Sequence, residues 1–395
     1  MSTAVQQAGR NEQIEILRAL AIIYVLITHY QIVGYYFNYS DHFPGLYENG
    51  DFGIGVDLFF VISGFVITRT LMQPHNTSDT STRNSLLAFW VRRIFRLLPT
   101  AWLWLAISLV ALTLQWFFHG DLVAFLKEAL SVGFAFFNVM NVYSALCPPG
   151  AVYEFCADRV PTGHYWSLSL EEQFYLLFPL LFFFLNRKVF IGFLVFAIAA
   201  QLFWERPMFT FYYPFRTDAL CWGVLLGFFS HTIHFQRVQE IFRRLGRLAN
   251  LLMLAPAIAL PWVAGEVLDP LTIKTYGVGL VAFMGAVSVF LASLEVRPVR
   301  DNRINKLLLY VGSRSYALYV VHLFFFWLIG EARELYDPGF TENAARHAWD
   351  WFLCLLATLA TFIAAEWNYR LVEVPWRQRG RAISKRMLAG NRAVD

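Results

Sequence analysis

IEILRALAIIYVLITHY, residues 14–30, is long and apolar enough to cross a bilayer, and it decides the fold. It nevertheless carries Arg18 near its start and His29 near its end. In a helix, eleven residues at about 100° each bring the second side chain to within roughly 20° of the first, about 16 Å along the axis. The spacing therefore predicts that both face one interior groove, where ionisable residues of membrane helices are usually functional. The alternative is that the two residues anchor the helix at opposite membrane surfaces.

The composition is that of a polytopic membrane protein. Of the 395 residues, 57% are hydrophobic and only 15% are charged, and the mean hydropathy is +0.48. These values exclude a soluble globular domain, and we expect a lipid bilayer around the chain and no nucleic-acid partner. The predicted fold class is therefore an all-α bundle of about ten transmembrane helices.

Arginine-rich segments set the predicted orientation, because short loops rich in Lys and Arg lie in the cytoplasm. Three arginines in residues 91–96 mark the cytoplasmic side, so the first helix runs outward and both termini are cytoplasmic. Residues 122–146 are apolar but polar-interrupted, which indicates a re-entrant or interfacial segment. The predicted spans are residues 14–33, 52–72, 97–118, 165–185, 189–204, 217–230, 248–265, 275–294, 308–329 and 347–369.

The predicted domain organisation is a membrane domain, residues 14–372, between two cytoplasmic tails. The first tail is residues 1–13, and the second, residues 373–395, is basic. Cys147 and Cys156 flank a Pro/Gly loop on the predicted outer side, where an oxidising compartment would allow a disulfide. No Cys/His cluster has zinc-ligand spacing, so we expect no metal.

Carboxylates in two predicted membrane helices are candidates for acid-base chemistry. Asp57 needs a cationic partner such as Arg18, His29 or another group, or it lies at the interface. In the predicted span 165–185, Glu171 shares a face with Ser167 and Tyr175, so we favour it as the acid-base residue. The presence of Glu172 is explained by the favourable interaction of negative charge with a helix N-terminus.

Several other polar side chains are candidates for binding. Arg93 and Arg96 lie three residues apart and share a helical face, which suits phosphate oxygens, although lipid anchoring would explain them equally. His322 lies in an apolar helix, where a satisfied core histidine is the commoner case. The candidate acceptor-binding residues are Trp166, Arg216, Tyr316 and His322.

Taken together, these stretches resemble the acyltransferase-3 family of bacterial integral-membrane O-acyltransferases over nearly the whole chain. The most specific pieces are the Arg18 and His29 pair, GVDLFFVISGF, the Arg93 and Arg96 pair, and YWSLSLEEQFYLLFP. FRTDALCWG and SYALYVVH support the resemblance. Each piece alone is weak, but their order and spacing together are specific.

The resemblance implies a multi-pass protein of the bacterial inner membrane. It would move an acyl group, with acetyl as the first expectation, from cytoplasmic acyl-CoA to a hydroxyl of a carbohydrate or glycolipid such as a surface polysaccharide. Acyl-CoA would be a donor substrate, and no tightly bound cofactor is expected. The chain would be the stand-alone form without an SGNH domain, so a second transfer step would need a periplasmic partner protein.

In that interpretation His29 is the general base on the acceptor hydroxyl. Glu171 or Asp57 would orient its imidazole. Arg93 and Arg96 would hold the phosphates of acyl-CoA, and Arg18 would line the route. Direct transfer and an acyl-histidine intermediate both stay open.

The alternative function is a proton-coupled transporter or flippase of a glycolipid, with His29, Asp57 and Glu171 as a proton relay. The sequence has neither inverted repeats nor a Gly/Pro-broken helix pair, which disfavours this alternative.

Overall fold

The structure is a computed structural model that describes residues 11–33, 50–72, 82–147, 161–202, 215–245, 247–268, 276–296, 301–336 and 347–389, with Cys156, Trp204, Arg206, Tyr212 and Val299. Within these ranges it contains helices and no strand. Residues 1–10 of the predicted tail and most of the predicted loops at 34–51, 73–85 and 147–164 lie outside the described residues.

The helices follow one another with short connections. In chain order they are α1 (Glu12–Val33), α2 (Gly55–Met72), α3 (Thr82–His119), α4 (Leu122–Phe136), α5 (Met140–Leu146), α6 (Tyr165–Phe184), α7 (Arg187–Leu202), α8 (Asp218–Phe229), α9 (Ile233–Arg244), α10 (Arg247–Leu268), α11 (Gly277–Ser293), α12 (Arg303–Ser313), α13 (Ser315–Tyr336), α14 (His347–Asn368), a π-helical turn (Tyr369–Glu373) and α15 (Val374–Ala389).

Six helical segments in the described residues are long and apolar enough to cross a membrane, and three shorter apolar helices accompany them. The prediction of an all-α membrane bundle is therefore confirmed. The number of ten spans and the cytoplasmic termini stay predictions. The six segments are Glu12–Tyr30, Gly55–Met72, Thr82–His119, Tyr165–Phe184, Ser315–Arg333 and Phe352–Ala389.

Three helix boundaries differ from the prediction. Helix α3 begins well before residue 97, so the arginines at 92, 93 and 96 lie inside it, because buried Leu86 and Phe89 continue its apolar face. Residues 122–146 form two helices, separated at Asn138, whose φ of 56° ends a right-handed helix. The predicted helix 308–329 is divided at Arg314 into α12 and α13.

Helix α15 lies within the segment that we predicted as a basic tail. It packs on the first half of α3, where a Cβ on Gly380 would lie 2.5 Å from Cβ of Phe95. Arg92 also donates a hydrogen bond to Ser384 on α15. Because α15 and this part of α3 carry many arginines and no acidic residue, we call this end of the bundle the basic end.

Helix α1 is central, and α2 is held beside it by a close crossing with α8. Helix α1 packs against α2, α11, α12, α13 and α14, and its Leu17 and Ile22 are fully buried. At the crossing of α2 and α8, a Cβ on Gly64 would lie 2.3 Å from the carbonyl oxygen of Leu220. Small residues allow such close approach between membrane helices. The crossing fixes the position of the neighbouring Ser63.

Candidate active site

A small cavity of about 70 Å³ lies among α1, α2, α3, α6 and α13. It begins near the basic end, and its apolar lining comes mainly from α2. Its charged and hydroxyl-bearing lining residues are Arg18, Ser63, Arg93, Arg96, Ser167, Glu171, Tyr175, Ser315, Tyr316 and Tyr319. The cavity therefore brings together the polar face of α6 and the three arginines that were predicted to contact acyl-CoA, Arg93 and Arg96 at its phosphates and Arg18 along its route.

The arginines of α3 have no carboxylate partner in the part of the chain that the structure describes. The guanidinium carbon of Arg93 lies 5.4 Å from the ring centre of Phe89 and 5.3 Å from that of Tyr175. Arg18 differs, because its Nη1 lies 2.5 Å from Oε1 of Glu15. The donors of Arg93 and Arg96 can therefore bind an anion without first breaking a salt bridge.

Glu171 is the carboxylate of the cavity wall. It accepts hydrogen bonds from the hydroxyls of Ser63 and Tyr175, and these two hydroxyls are 3.2 Å apart. Ser167, Glu171 and Tyr175 all line the cavity, as their spacing on one helical face predicts, and Glu172 does not. The geometry agrees with the preference for Glu171, but it places this carboxylate against hydroxyls and not against His29.

The cavity ends at a layer formed by Ser167 and Tyr319. Their hydroxyls are hydrogen-bonded to each other, and each lies 3.1 Å from the carbonyl oxygen of His164, which accepts the hydrogen that this mutual bond does not use. His29 is not among the described lining residues. Thus Arg18 reaches the cavity, but His29 lies beyond this layer, toward the end of the bundle opposite the basic end.

Three histidines form a row behind the layer. The ring centres of His29 and His322 are 4.9 Å apart, and those of His322 and His164 are also 4.9 Å apart. His164 and His322 are 3% and 0% exposed, whereas His29 is partly exposed. Among the three, His29 is therefore the histidine that a substrate can reach.

Backbone carbonyls fix the tautomers of these histidines, because a carbonyl oxygen can only accept a hydrogen bond. Nδ1 of His29 lies 2.7 Å from the oxygen of Val25, and Nδ1 of His322 lies 2.7 Å from that of Tyr319. These nitrogens therefore carry hydrogen when the rings are neutral. Nε2 of His29 is left as a lone pair, which is the state that a general base requires.

Asp57 and Arg216 are held by each other. Nη2 of Arg216 donates to Oδ2 of Asp57 at 2.5 Å, and both side chains are at most 3% exposed. Neither residue is among the described lining residues of the cavity. Of the partners considered for Asp57, the structure supplies another cation and not His29. The predicted contact between a carboxylate and His29 is therefore absent from the described residues.

The other predicted side chains have mixed positions. Tyr316 lines the cavity and donates its hydroxyl to the oxygen of Leu97 at 2.6 Å. Trp166 is not in the described lining, and its ring packs edge-on against Phe60. Cys147 and Cys156 are joined by a disulfide.

Two residues of this region were absent from the predicted site. His164 could have been found as the start of the polar stretch that contains Glu171. Tyr319 could have been found three residues before His322, on the same helical face. Within the described residues, no group of His, Cys, Asp and Glu side chains has an arrangement that could hold a metal ion.

Comparison with known proteins identifies a family and a group of relatives. The acyltransferase domain family matches residues 11–367. The peptidoglycan O-acetyltransferase OatA of Listeria monocytogenes is 26% identical over 386 residues, which cover 92% of this chain and 55% of that protein. The O-acetyltransferase OatA of Staphylococcus aureus is 27% identical over 384 residues, with 92% and 57% coverage. The chain thus spans just over half the length of these relatives. No solved structure matches it.

Proposed function

This chain belongs to the family of acyltransferase domains, and on that premise we propose that it is a membrane O-acyltransferase that modifies a bacterial surface carbohydrate. The names of its relatives support acetyl as the acyl group and a glycan, peptidoglycan included, as the acceptor. We further propose acyl-CoA as the donor and the inner membrane as the location. A periplasmic partner protein would be needed only if the acyl group passes through a second transfer.

The observation that carries this proposal is the cavity, which has arginines near the basic end and a histidine beyond its inner limit. The phosphates of acyl-CoA would bind Arg93 and Arg96, which line the cavity together with Glu171 and form no salt bridge within the described residues. Arg18 would line the route of the thioester arm. The basic end then lies in the cytoplasm, which agrees with the positive-inside rule and with cytoplasmic termini.

The proposed reaction is direct transfer with His29 as general base. Nε2 of His29 removes the proton from the acceptor hydroxyl, the hydroxyl oxygen attacks the thioester carbonyl carbon, and the C–S bond breaks. The thiolate of coenzyme A leaves and takes a proton. Ser167 and Tyr319 separate the cavity from His29. The hydrogen bond between their hydroxyls therefore has to break before the acyl carbon can reach the acceptor hydroxyl at His29. Glu171 keeps its place against Ser63 and Tyr175 and supplies negative charge near Arg93.

The test is transfer of labelled acetyl from acetyl-CoA to the host's surface glycans in membranes that contain the wild type, His29→Gln or the control His231→Gln. His231 is an exposed histidine after α8, far along the chain from the row of three. We expect His29→Gln to lose about 10²–10⁴-fold in rate, the usual contribution of general-base catalysis, and His231→Gln to match wild type.

Three other outcomes are informative. Label from succinyl-CoA but not from acetyl-CoA would show that the donor is succinyl-CoA and that the reaction is still acyl transfer. Equal labelling by wild type and His29→Gln would contradict the role of His29, and glycan export without acyl-CoA dependence would favour the transporter or flippase.

A further inference from the structure

His29 lacks the orienting carboxylate that bases of this kind commonly have. Glu171 is bonded to Ser63 and Tyr175, and Asp57 is bonded to Arg216. The side-chain nitrogen nearest to the imidazole of His29 is instead Nε2 of His322, which lies 3.4 Å from its Nδ1. The identity of the group on Nδ1 decides how His29 carries the positive charge that it acquires as a base.

The tautomers give this contact a direction. Nδ1 of His322 donates to the carbonyl oxygen of Tyr319, so Nε2 of His322 is an acceptor in the neutral ring. Nδ1–H of His29 is thus shared between the oxygen of Val25 at 2.7 Å and Nε2 of His322 at 3.4 Å. Both acceptors lie on the same side of the imidazole, which leaves Nε2 of His29 for the substrate.

His164 keeps the second acceptor available. It packs against His322 with ring centres 4.9 Å apart, and its Nε2 lies 3.1 Å from the carbonyl oxygen of Val320. Because its N–H is donated to Val320, His164 does not compete with His29 for the lone pair of His322. Since His322 is fully buried, water does not reach that lone pair either.

We propose that His322 is the positioning residue of His29 and takes up part of its positive charge through the Nδ1 proton when Nε2 of His29 accepts the proton of the acceptor hydroxyl. This inference rests on the proposed role of His29 as the base.

The proton transfers between His29 and His322 balance over the reaction. When Nε2 of His29 takes the hydroxyl proton, its Nδ1–H becomes a stronger donor, and charge-assisted hydrogen bonds are shorter than neutral ones. The Nδ1 proton then moves toward Nε2 of His322, whose other nitrogen keeps its hydrogen on Tyr319. The thiolate of coenzyme A later takes a proton from Nε2 of His29, the Nδ1 proton returns, and both rings are neutral again.

Three substitutions of His322 separate positioning and proton sharing from packing. His322→Gln places an amide oxygen near the position of Nε2, so it can accept a hydrogen bond from His29 but cannot hold a proton. His322→Asn places an amide near Nδ1, so it can keep the bond to Tyr319 but not the contact with His29. His322→Leu removes both. The matched control is again His231→Gln.

We expect His322→Asn and His322→Leu to lose about 10²-fold in kcat with little change in KM for acetyl-CoA, and His322→Gln to lose about tenfold. Rates are compared at equal amounts of detergent-extracted, monodisperse protein. The kcat of the wild type in mixtures of H₂O and D₂O should fall on a curve, because two protons move together. The kcat of His322→Gln should fall on a straight line.

Three results would overturn the inference. If His29→Gln is inactive while His322→Asn stays within about twofold of wild type in kcat, His29 keeps its role as the base and the role of His322 is contradicted. The same linear dependence on D₂O for wild type and His322→Gln would contradict proton sharing even if the Asn and Leu variants fail to fold. If His29→Gln remains active, the proposed base itself fails, and the inference falls with it.

Discussion

Two regions of the bundle contain arginines in different environments, and only in one of them can the arginines still bind an anion without breaking a salt bridge. In the cavity, Arg93 lies near the rings of Phe89 and Tyr175, and neither Arg93 nor Arg96 has a salt bridge within the described residues. In the second region, Arg206 and Arg216 lie 2.8 and 2.5 Å from carboxylate oxygens of Asp218 and Asp57. A buried arginine therefore indicates a binding site for an anion when it forms no salt bridge, and a structural role when a carboxylate of the protein binds it.

The second region also explains why its charges are tolerated. The four side chains of its two salt bridges are at most 3% exposed, and Gln201 accepts a hydrogen bond from Arg206. Removing one member leaves the other as an uncompensated buried charge, which costs much more than the pair contributes. These residues should therefore affect stability first, whereas Arg93 and Arg96 should affect donor binding.

The largest expected effect is on stability, from Asp57→Leu. It removes the carboxylate that accepts a hydrogen bond from Nη2 of Arg216 in the buried interior, and we expect a loss of about 3–5 kcal/mol in the free energy of unfolding. Thermal unfolding of the detergent-solubilised protein measures it. The double variant Asp57→Leu/Arg216→Leu should recover most of the loss, since it removes both charges. A double variant as unstable as Asp57→Leu would show that Asp57 stabilises the fold through some other contact.

The second effect is on donor binding, from Arg93→Gln. We expect KM for acetyl-CoA to rise about 10–100-fold, because a hydrogen bond to a charged group contributes about 1.5–3 kcal/mol. The unfolding temperature should stay near that of wild type, since no salt bridge is broken. Arg83→Gln, an exposed arginine at the start of α3, is the matched control. An unchanged KM together with a large loss of stability would reverse the comparison between the two regions.

The sequence predicted what depends on spacing along one helix. The common face of Ser167, Glu171 and Tyr175 and the joint position of Arg93 and Arg96 follow from helical periodicity, and the structure has both at the cavity. Partners across helices could not be predicted in this way. Asp57 and Arg216 are 159 residues apart, and His29 and His322 are 293 apart, so only the packing of helices brings them together.

The extent of a helix and the breaks between helices were also hard to predict. The arginines of α3 read as a loop-side cluster, but the apolar face on either side of them continues without interruption. The break at Asn138 depends on one residue with positive φ inside an apolar run. Neither hydropathy nor charge counts detect such a backbone conformation.

The last prediction concerns Glu128 on α4, a carboxylate whose charged neighbours, Glu331 and Asp121, are also negative. Its expected effect on stability is small. Partial burial and these negative neighbours raise the pKa of Glu128 from an ordinary 4.5 to about 7. Between these values the folded protein holds a proton that the unfolded chain has released, so stability falls as pH rises. We expect the unfolding temperature of wild type to fall by about 1–2 °C more than that of Glu128→Gln between about pH 5 and pH 8, a small difference because the group is partly solvated. Glu266→Gln, at an exposed position of α10, should keep the wild-type slope. Equal slopes for wild type and Glu128→Gln would mean that a carboxylate without an arginine partner can be tolerated in this bundle without cost.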